Sequence, residues 1–410
     1  MGHVELAREL GDAVGLCGLV HRRNAGALSD GFVAGGAIIC ENSHLSPREA
    51  LDSTPSSSRH PKRVTRESIL EYPHAAPPAP GETLQVAPGV HWLRMPLPFA
   101  LDHINLWLLE DELNGNAGWT FIDCGIGDGA TRALWERIFA GPIAGRPVRR
   151  LVVTHHHPDH AGLAWWLVER TGAEFWMPQA EYFAAHAMRE GSAGFGFDNV
   201  VAMFVRNGLA GEKLELMKQR RTNYRSRVPG FPSGYRRLMD AQTHRIGGRD
   251  WRVIMGYGHA PEHAALYCEE LGVLISGDMV LPRISTNVSV WANEPEGNPL
   301  ALFLDSLSRY AGLPATTLTL PSHGLPFRGL RERIEQLKEH HRLRLAELHE
   351  ACETPKAAAD VLDTLFRRKL DTHQLFFAMG EAMAHLHLLH FDGRLKRSVG
   401  ADGVVRYAQN

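Results

Sequence analysis

The sequence predicts an α/β (α+β) protein whose two β-rich halves pack as a four-layer αββα sandwich, with a helical insertion between the halves. Strand-like runs alternate with helical segments in both halves of the chain. A histidine cluster stands where one buried strand stops, and a long segment without strand patterns separates the halves. Mixed strand connections in two such halves are typical of a layered sandwich.

Composition restricts the function classes. The chain has 410 residues, enough for two domains, and its 44 basic and 46 acidic side chains give no reason to expect a nucleic acid or an anionic membrane as partner. Its five cysteines are scattered without a CxxC pair, which argues against a disulfide framework and a cysteine zinc site. The first residues make a poor secretory signal, and the apolar run 32–40 is too short to span a membrane. We therefore expect a cytoplasmic protein without a membrane segment.

The order of elements starts late in the chain. Residues 1–82 show no clean helical or strand period and are predicted to be a poorly structured extension. In the first half, strands are predicted at 86–97, 103–110, 119–123 and 150–154, and a helix near 130–140. In the second half, strands are predicted at 251–255, 264–268, 273–276 and 317–321.

Two segments depart from this pattern. Residues 180–245 are predicted to form a helical insertion without strands, irregular around 229–232, that acts as a lid or binding loop. The C-terminal segment 328–410 offers helices at 330–352, 355–366 and 372–390 and then a hairpin around 400–403. Three helices followed by a hairpin predict a small winged-helix-like domain.

The run His-His-His-Pro-Asp-His at 155–160 carries the chemistry, because it places four metal-ligand types between a strand and a helix. In an extended loop residues two apart face the same side, so His155 and His157 can converge on one metal ion. Asp159 and His160 come where the chain turns into the helix and can face a second ion. Imidazole and carboxylate are zinc-type ligands whose spacing here leaves positions for water. The clustering disfavours the alternative, a solvated histidine run.

This HxHxDH run resembles the signature of the metallo-β-lactamase superfamily, and the family's other motifs appear in the expected order. Gly258-His259-Ala260-Pro261 is similar to a GHxP turn, Ser276-Gly277-Asp278 to an SGD motif, and Pro321-Ser322-His323-Gly324 to a PxHG motif. Asp123 matches an early aspartate of the family. The resemblance covers residues 83–327 and implies a catalytic domain with the αββα fold over that range.

The resemblance also implies a dinuclear site. The first ion would be held by His155, His157 and His259, the second by Asp159, His160 and His323, with Asp278 bridging both. It implies that Asp123 supports the metal loop by hydrogen bonding, and that Asp159 and Asp278 are catalytic beside a metal-bound water that acts as nucleophile. We expect two divalent ions, Zn²⁺ first, with iron and manganese as alternatives that N/O ligands also accept.

Asp278 narrows the substrate class. The β-lactamases that resemble this fold carry Cys or Ser there, whereas the Asp pattern is similar to glyoxalase II-type thioesterases, lactonases and phosphodiesterases. The insertion also concentrates arginines, namely Arg220, Arg221, Arg225, Arg227, Arg236 and Arg237. As a lid they would attract an anionic, partly aromatic small molecule such as an acyl thioester, although a solvated helix end explains them equally well. The substrate candidates are Tyr224, Arg225, Arg227, Tyr235 and His263, and for His263 a structural role at the start of the next strand is favoured over the pocket wall.

We favour a glyoxalase II-like acyl thioesterase or esterase; a lactonase, or a phosphodiesterase or endoribonuclease, is the alternative. The C-terminal segment resembles the winged-helix domain that follows some metallo-β-lactamase folds, including a mitochondrial endoribonuclease. Residues 328–410, however, hold fourteen Lys and Arg against twelve Asp and Glu, which is little for a nucleic-acid surface. We therefore expect a packing or homodimer role for this segment.

Other histidines invite a metal interpretation that we disfavour. His385, His387 and His390 fall in a predicted helix, where residues two apart face apart, so solvated or partly buried side chains are expected. His156 should point away from the metals, and His103 is expected to have a structural role.

Overall fold

The computed structural model describes residues 70–113, 115–192, 194–219 and 224–410. Most of the predicted N-terminal extension lies outside these residues. In its described part, the backbones of Glu71 and Arg328 pair in both directions, and Leu70 and Tyr72 pack against a hydrophobic core. Two apolar side chains are enough to attach so short a segment to an existing core, although they are too few to produce a recognisable period.

Seven strands form the first sheet in chain order: β1 (Leu84–Ala87), β2 (Val90–Pro96), β3 (His103–Leu113), β4 (Asn116–Ile122), β5 (Val148–Val152), β6 (Glu174–Pro178) and β7 (Arg236–Leu238). Strands β1 to β4 are antiparallel, and β4 to β7 run parallel. Parallel strands end at the same edge of a sheet, so the loops after β4 and β5 are neighbours.

Five strands form the second sheet: β8 (Thr243–Ile246), β9 (Arg249–Gly256), β10 (His263–Cys268), β11 (Val273–Gly277) and β12 (Leu318–Pro321). Their order is β12-β11-β10-β9-β8, antiparallel except for the parallel pair of β11 and β12. The loops that follow β11 and β12 therefore share an edge as well.

Helices cover both outer faces of the sheets. On the first half and in the insertion lie α1 (Gly129–Ala140), α2 (Pro158–Ala161), α3 (Ala164–Thr171), α4 (Gln179–Glu190), α5 (Phe197–Arg206), α6 (Gly211–Lys218) and α7 (Tyr224–Arg227). The second half carries α8 (Pro299–Ala311), α9 (Leu330–Ala351), α10 (Leu362–Leu365) and α11 (Thr372–Phe391), and the hairpin of β13 (Leu395–Val399) and β14 (Val405–Gln409) closes the chain.

Alternation along the strands explains the layers. In β3, Leu106 and Leu108 pack with α1 and α3, whereas Trp107 and Leu109 face the second sheet. Because both faces of the strand are buried, its sequence is nearly continuously apolar. One hydrophobic cluster lies between the sheets and two lie beneath the helices, which gives the predicted αββα sandwich.

The insertion differs from its prediction. It contains helices α4 to α7, but it also contains β7 and the first three residues of β8, and these strands join the first and second sheets. Strand β7 is three residues long and exposes Arg236 and Arg237 at a sheet edge, as edge strands commonly do. So short and polar a strand has no detectable period-two pattern.

The C-terminal elements match their predicted order, and the winged-helix classification stays a prediction. Helices α9 and α11 share one hydrophobic cluster with α8 and β11, so the segment packs as an outer layer on the second sheet. In α11, His385 and His387 are fully buried, more so than expected, because this helix is enclosed on nearly all sides. No helix in the described ranges is long and apolar enough to cross a membrane.

Candidate metal centre

Every predicted ligand lies shortly after the end of a strand, at one edge of the sandwich. The segment after β5 provides His155 and His157, and the short helix α2 that follows provides Asp159 and His160. The loops after β9, β11 and β12 provide His259, Asp278 and His323. The structure brings all seven together as two groups whose ligand atoms lie within 4.8 Å of one another. Among the described residues no further group of this kind occurs.

The first group contains His155, His157, His259 and Asp278. The Nε2 atoms of His155 and His259 are 3.2 Å apart, and the His259 Nε2 lies 3.3 Å from Asp278 Oδ2. Two ligand atoms around a tetrahedral zinc ion, each at ~2.0–2.1 Å, are separated by about 3.3 Å. The observed spacing therefore fits a single small divalent cation.

The second group contains Asp159, His160 and His323. Asp159 Oδ2 lies 3.6 Å from the Nε2 of His160 and 3.5 Å from that of His323. Asp278 reaches this group too, with Oδ1 at 3.4 Å from His323 Nε2 and Oδ2 at 3.5 Å from His160 Nε2. One carboxylate thus faces both groups, as a bridging ligand must.

Hydrogen bonds fix the histidine tautomers. The Nδ1 of His259 donates to the backbone oxygen of Asn287 at 2.8 Å, and that of His323 to the backbone oxygen of His103 at 2.7 Å. The Nδ1 of His160 lies 2.7 Å from Asp123 Oδ2. With Nδ1 protonated, each ring presents the Nε2 lone pair toward the centre. His103 has the structural role expected of it.

Asp123 organises the metal loop from behind. It follows β4 with a left-handed φ of 63°, and it accepts hydrogen bonds from the backbone and hydroxyl of Thr154 and from His160. Since the Thr154 hydroxyl donates to Asp123, its oxygen accepts from His155 Nδ1 at 3.0 Å. The Nε2 lone pairs of His155 and His259 consequently face each other, an arrangement that a cation stabilises.

Burial and charge set the protonation of the cluster. Burial and the neighbouring imidazoles hold the pKa of His155 and of His157 well below the usual histidine range. Burial opposes charge on His323 too, but Asp278 and Asp159 outweigh it and raise its pKa to about 9. Burial alone would raise the pKa of Asp278, yet His160 and His323 hold it well below its usual range. Ionised carboxylates beside His155 and His157, whose imidazoles stay neutral, form a donor set for cations.

Two buried atoms give a further test of fit. His160 Nε2 and Asp278 Oδ1 have no hydrogen-bond partner among the described residues, although both are buried. Buried polar atoms in proteins are almost always satisfied, and metal coordination is one way to do so. The donor set, its spacing and these two atoms all fit two divalent ions.

The sequence interpretation missed Glu181, in α4. This carboxylate is fully buried, and its Oε2 accepts a hydrogen bond of 2.8 Å from the backbone of His156 and lies 2.5 Å from that ring's Nδ1. Its Oε1 accepts from the backbone of Glu262 at 2.6 Å. Glu181 thus joins the loop that carries His155 to the loop that carries His259. The ring of His156 points toward Glu181, consistent with the expectation that it faces away from the metals.

The substrate candidates lie in several environments. The hydroxyl of Tyr224 donates to the backbone oxygen of His156 at 2.5 Å, next to the ligands. The Arg227 guanidinium lies over the ring of Phe99, 5.5 Å from its centroid, and Arg225 is exposed. The ring of Tyr235 stacks on Tyr182 with centroids 4.0 Å apart. Two of the predicted arginines, Arg220 and Arg221, lie outside the described residues.

His263 lies at the start of a strand, in the structural position that the sequence favoured over the pocket wall. It is fully buried at the start of β10, and its Nε2 accepts the backbone N–H of Asp278 at 3.1 Å. Burial and the nearby His259 lower the pKa of His263 to about 3, so the ring remains neutral and able to accept this hydrogen bond. His263 therefore holds the backbone of Asp278 from beneath.

The fold and the site together define a protein of the metallo-β-lactamase type. Comparison with protein families gives the same class, since the "Metallo-beta-lactamase superfamily" matches residues 100–323 and a "Metallo-beta-lactamase-like, C-terminal domain" matches residues 345–410. The chain belongs to the metallo-β-lactamase superfamily.

Particular relatives support this membership. A β-lactamase domain protein from Burkholderia ambifaria has a crystal structure with 52% identity, covering 84% of this chain and 99% of that one, with a TM-score of 0.80. The family protein TTHA1429 from Thermus thermophilus is 33% identical, covering 80% and 100%, with a TM-score of 0.67. In Bacillus subtilis (strain 168), the "probable metallo-hydrolase YqjP" is 28% identical over 72% of this chain and 91% of its own length.

Proposed function

We propose that this chain is a hydrolase that uses two divalent metal ions to cleave an ester or thioester. The observation that carries the proposal is Asp278, whose two oxygens lie within 3.4 Å of ligand nitrogens in both groups, Oδ2 near His259 and Oδ1 near His323. A carboxylate so placed can join two ions in one centre and lower the repulsion between them. The description of the Bacillus subtilis relative as a metallo-hydrolase agrees with this reaction type.

When bound, two such ions bring the pKa of a water near ~7 and stabilise the negative charge that develops on the substrate's oxygen. The chain's own groups hold this centre rigidly. Asp123 and the backbone oxygens of Asn287 and His103 fix three ligand rings, so little reorganisation is needed during reaction. The side chain of Asp159 is 18% exposed, more than that of Asp278 at 10%, so a reacting water can reach it and transfer a proton to its carboxylate.

Zinc is the metal that we propose first. Imidazole nitrogens and carboxylate oxygens suit it, and the ligand spacing agrees with its bond lengths. The same donors accept iron and manganese, so the bound metal has to be identified by measurement. Elemental analysis of protein purified without added metal should find about two zinc ions per chain, and stoichiometric iron or manganese instead would replace zinc in the proposal.

The substrate proposal depends on the insertion. Tyr224 attaches α7 to the metal loop through the backbone oxygen of His156, which places Arg225 and Arg227 on the same short helix. A guanidinium on this helix would bind the anionic part of an acyl thioester, such as a carboxylate or phosphate. These arginines would also accept a phosphodiester, so phosphodiesterase or nuclease activity is the second candidate, with lactonase activity beside it.

A substrate panel tests these alternatives. Metal-loaded protein should hydrolyse an S-acyl glutathione or acyl coenzyme A at least about a hundredfold faster than a homoserine lactone, a chromogenic β-lactam or bis(p-nitrophenyl) phosphate, a difference of about 2.7 kcal/mol in barrier. Hydrolysis of the phosphodiester alone would overturn the thioester preference. His157→Ala should abolish turnover, whereas the control His91→Ala, which alters a histidine paired with Glu110, should keep it.

We further propose a cytoplasmic enzyme that acts on a small molecule, without nucleic acid or membrane as partner, and that forms a homodimer. The buried free thiols of Cys124, Cys268 and Cys352 support a reducing compartment. The charge balance of residues 328–410 argues against nucleic acid. Light scattering of the purified protein tests the homodimer, and a gel-shift assay with RNA tests whether the protein binds nucleic acid.

A further inference from the structure

The segment that follows Asp278 contacts two of the proposed ligands through adjacent residues. The hydroxyl of Thr286 donates to the backbone oxygen of Asp278, and the backbone oxygen of Asn287 accepts the Nδ1 proton of His259 at 2.8 Å. The position of Asn287 therefore sets both the tautomer and the orientation of the His259 ring.

Helix α11 holds this segment from the C-terminal part of the chain. The side-chain amide of Asn287 donates to Glu381 Oε2 at 3.2 Å and accepts from the Ser289 hydroxyl at 2.8 Å. The backbone N–H of Val290 donates to the oxygen of Gly380 at 3.1 Å. A side chain at Gly380 would lie 2.7 Å from Ser289, so glycine at this position permits the close approach of helix and segment.

Burying the carboxyl group of Glu381 at this position is energetically unfavourable. The residue is 4% exposed, and burial raises its pKa to about 7 although the amide of Asn287 acts in the opposite direction. A buried carboxyl is unfavourable unless its oxygen has a specific partner. That partner is Asn287, one hydrogen bond away from a proposed metal ligand.

We propose that Glu381 is a positioning residue of the metal centre, which acts through Asn287 on His259, and that the C-terminal segment is thereby part of the site. The inference rests on the proposed metal-dependent function. It extends the supporting structure of the centre from the loops of the sandwich to α11, which lies more than a hundred residues further along the chain than His259.

The test measures metal binding and not only activity. Glu381→Met removes the acceptor oxygen and keeps an unbranched side chain, whereas Glu381→Gln keeps an oxygen that can accept from Asn287. In a chelator competition with metal-free protein, we expect Glu381→Met to bind Zn²⁺ about 10–100-fold more weakly than the parent, as is usual for outer partners of metal ligands. Glu381→Gln should stay within about threefold. The visible spectrum of the Co²⁺-loaded protein should change in Glu381→Met and be restored in Glu381→Gln.

The matched control is His387→Met. His387 is also buried in α11, and its Nδ1 donates to the backbone oxygen of Gly297 at 2.8 Å. This control should lose thermal stability as Glu381→Met does, but keep the parent's Zn²⁺ affinity and Co²⁺ spectrum. If Glu381→Met fails to fold, Asn287→Ala replaces it, because a chain of contacts through Asn287 predicts the same loss of affinity. If Glu381→Met and Asn287→Ala both fold, the protein that carries both substitutions should bind Zn²⁺ no more weakly than the weaker-binding single variant.

Two results would overturn the inference. One is parental Zn²⁺ affinity and Co²⁺ spectrum in Glu381→Met or, where that variant does not fold, in Asn287→Ala. The other is Glu381→Gln binding as weakly as Glu381→Met, since the amide retains the required oxygen. A parent protein that bound no metal at all would instead refute the proposed function, and the two failures are therefore distinguishable.

Discussion

The buried carboxylate of Glu181 accepts a hydrogen bond of 2.8 Å from the backbone N–H of His156, the residue between two proposed ligands. The other oxygen of the same carboxylate accepts from the backbone of Glu262, three residues after His259. Burial alone would raise the pKa of Glu181, but His156 and the two N–H donors lower it, so the group is a carboxylate inside the protein. One side chain thus sets the separation of two ligand-bearing loops.

Glu181→Gln should damage both stability and metal binding. The amide keeps one acceptor oxygen but turns an NH₂ group toward an N–H donor, so one buried hydrogen bond is lost and a donor is left unsatisfied. We expect the free energy of unfolding in urea to fall by about 2–4 kcal/mol and Zn²⁺ affinity by about tenfold. The control Glu174→Gln changes an exposed glutamate paired with Arg236 and should stay within about 0.5 kcal/mol of the parent. A Glu181→Gln protein as stable as this control would contradict the role of Glu181.

Asp123→Asn should weaken one ion selectively. Asparagine tolerates the left-handed backbone at φ 63°, so the turn is kept. What changes is the partner of His160 Nδ1, which lies 2.7 Å from a carboxylate oxygen in the parent. Calorimetric titration with Zn²⁺ should show the second equivalent about 10–100-fold weaker, with the first less affected. Asp128→Asn alters the cap of α1, a role that asparagine fills equally well, and should bind both ions normally.

The convergence of the proposed ligands could be predicted because each lies in a short local motif at a strand end. His155 and His157 lie on the same side of an extended segment, which their spacing of two residues predicts. The sandwich fold could also be predicted, since strands such as β3 are long and strongly apolar. Short β7, with two exposed arginines, carried no such signal.

The groups that support the ligands could not be predicted in the same way. Glu181, Asn287 and Glu381 act through single contacts between residues far apart in sequence, which no local period encodes. His263 illustrates the limit: it lies four residues after a ligand, which left the pocket wall as an alternative, yet the start of β10 turns it into the interior. Only the packing of the two sheets determines which side it takes.

Removing Asp278 should affect both ions, and removing His157 only one. Because Asp278 faces both ligand groups, Asp278→Ala should reduce the zinc content of purified protein from about two to below one per chain, whereas His157→Ala should retain about one. Elemental analysis after gel filtration measures this. If Asp278→Ala still held two tightly bound ions, the bridging role would be excluded.

Charge on the insertion should control substrate affinity. If Arg225 and Arg227 bind an anionic part of the substrate, Arg227→Gln should raise KM for an acyl coenzyme A about tenfold and leave KM for an uncharged thioester unchanged. Arg252→Gln, which removes a guanidinium stacked on Tyr267, serves as the control. Equal effects of Arg227→Gln on charged and uncharged substrates would show that Arg227 acts by packing on Phe99 and not by charge.

Acid should destabilise the C-terminal layer through His385. Burial lowers the pKa of this histidine from its ordinary 6.5 to about 4, with His340 and Arg344 contributing, and its Nε2 lies 3.1 Å from the Nδ1 of buried His341. Between these two pH values the unfolded chain binds a proton that the folded protein does not. The stability that neutral His385 contributes is therefore present above pH 6.5 and is lost as the pH falls toward 4.

The expected size is about 2 kcal/mol between pH 7.5 and pH 5. Urea unfolding of the metal-free parent and of His385→Leu, both in the presence of a chelator, measures it at the two pH values. The ligand histidines then titrate alike in both proteins, and the variant should lose about 2 kcal/mol less on acidification than the parent. Equal losses in the two proteins would mean that His385 is protonated in the folded state at pH 5. In that case the enclosed environment of α11 would not exclude charge.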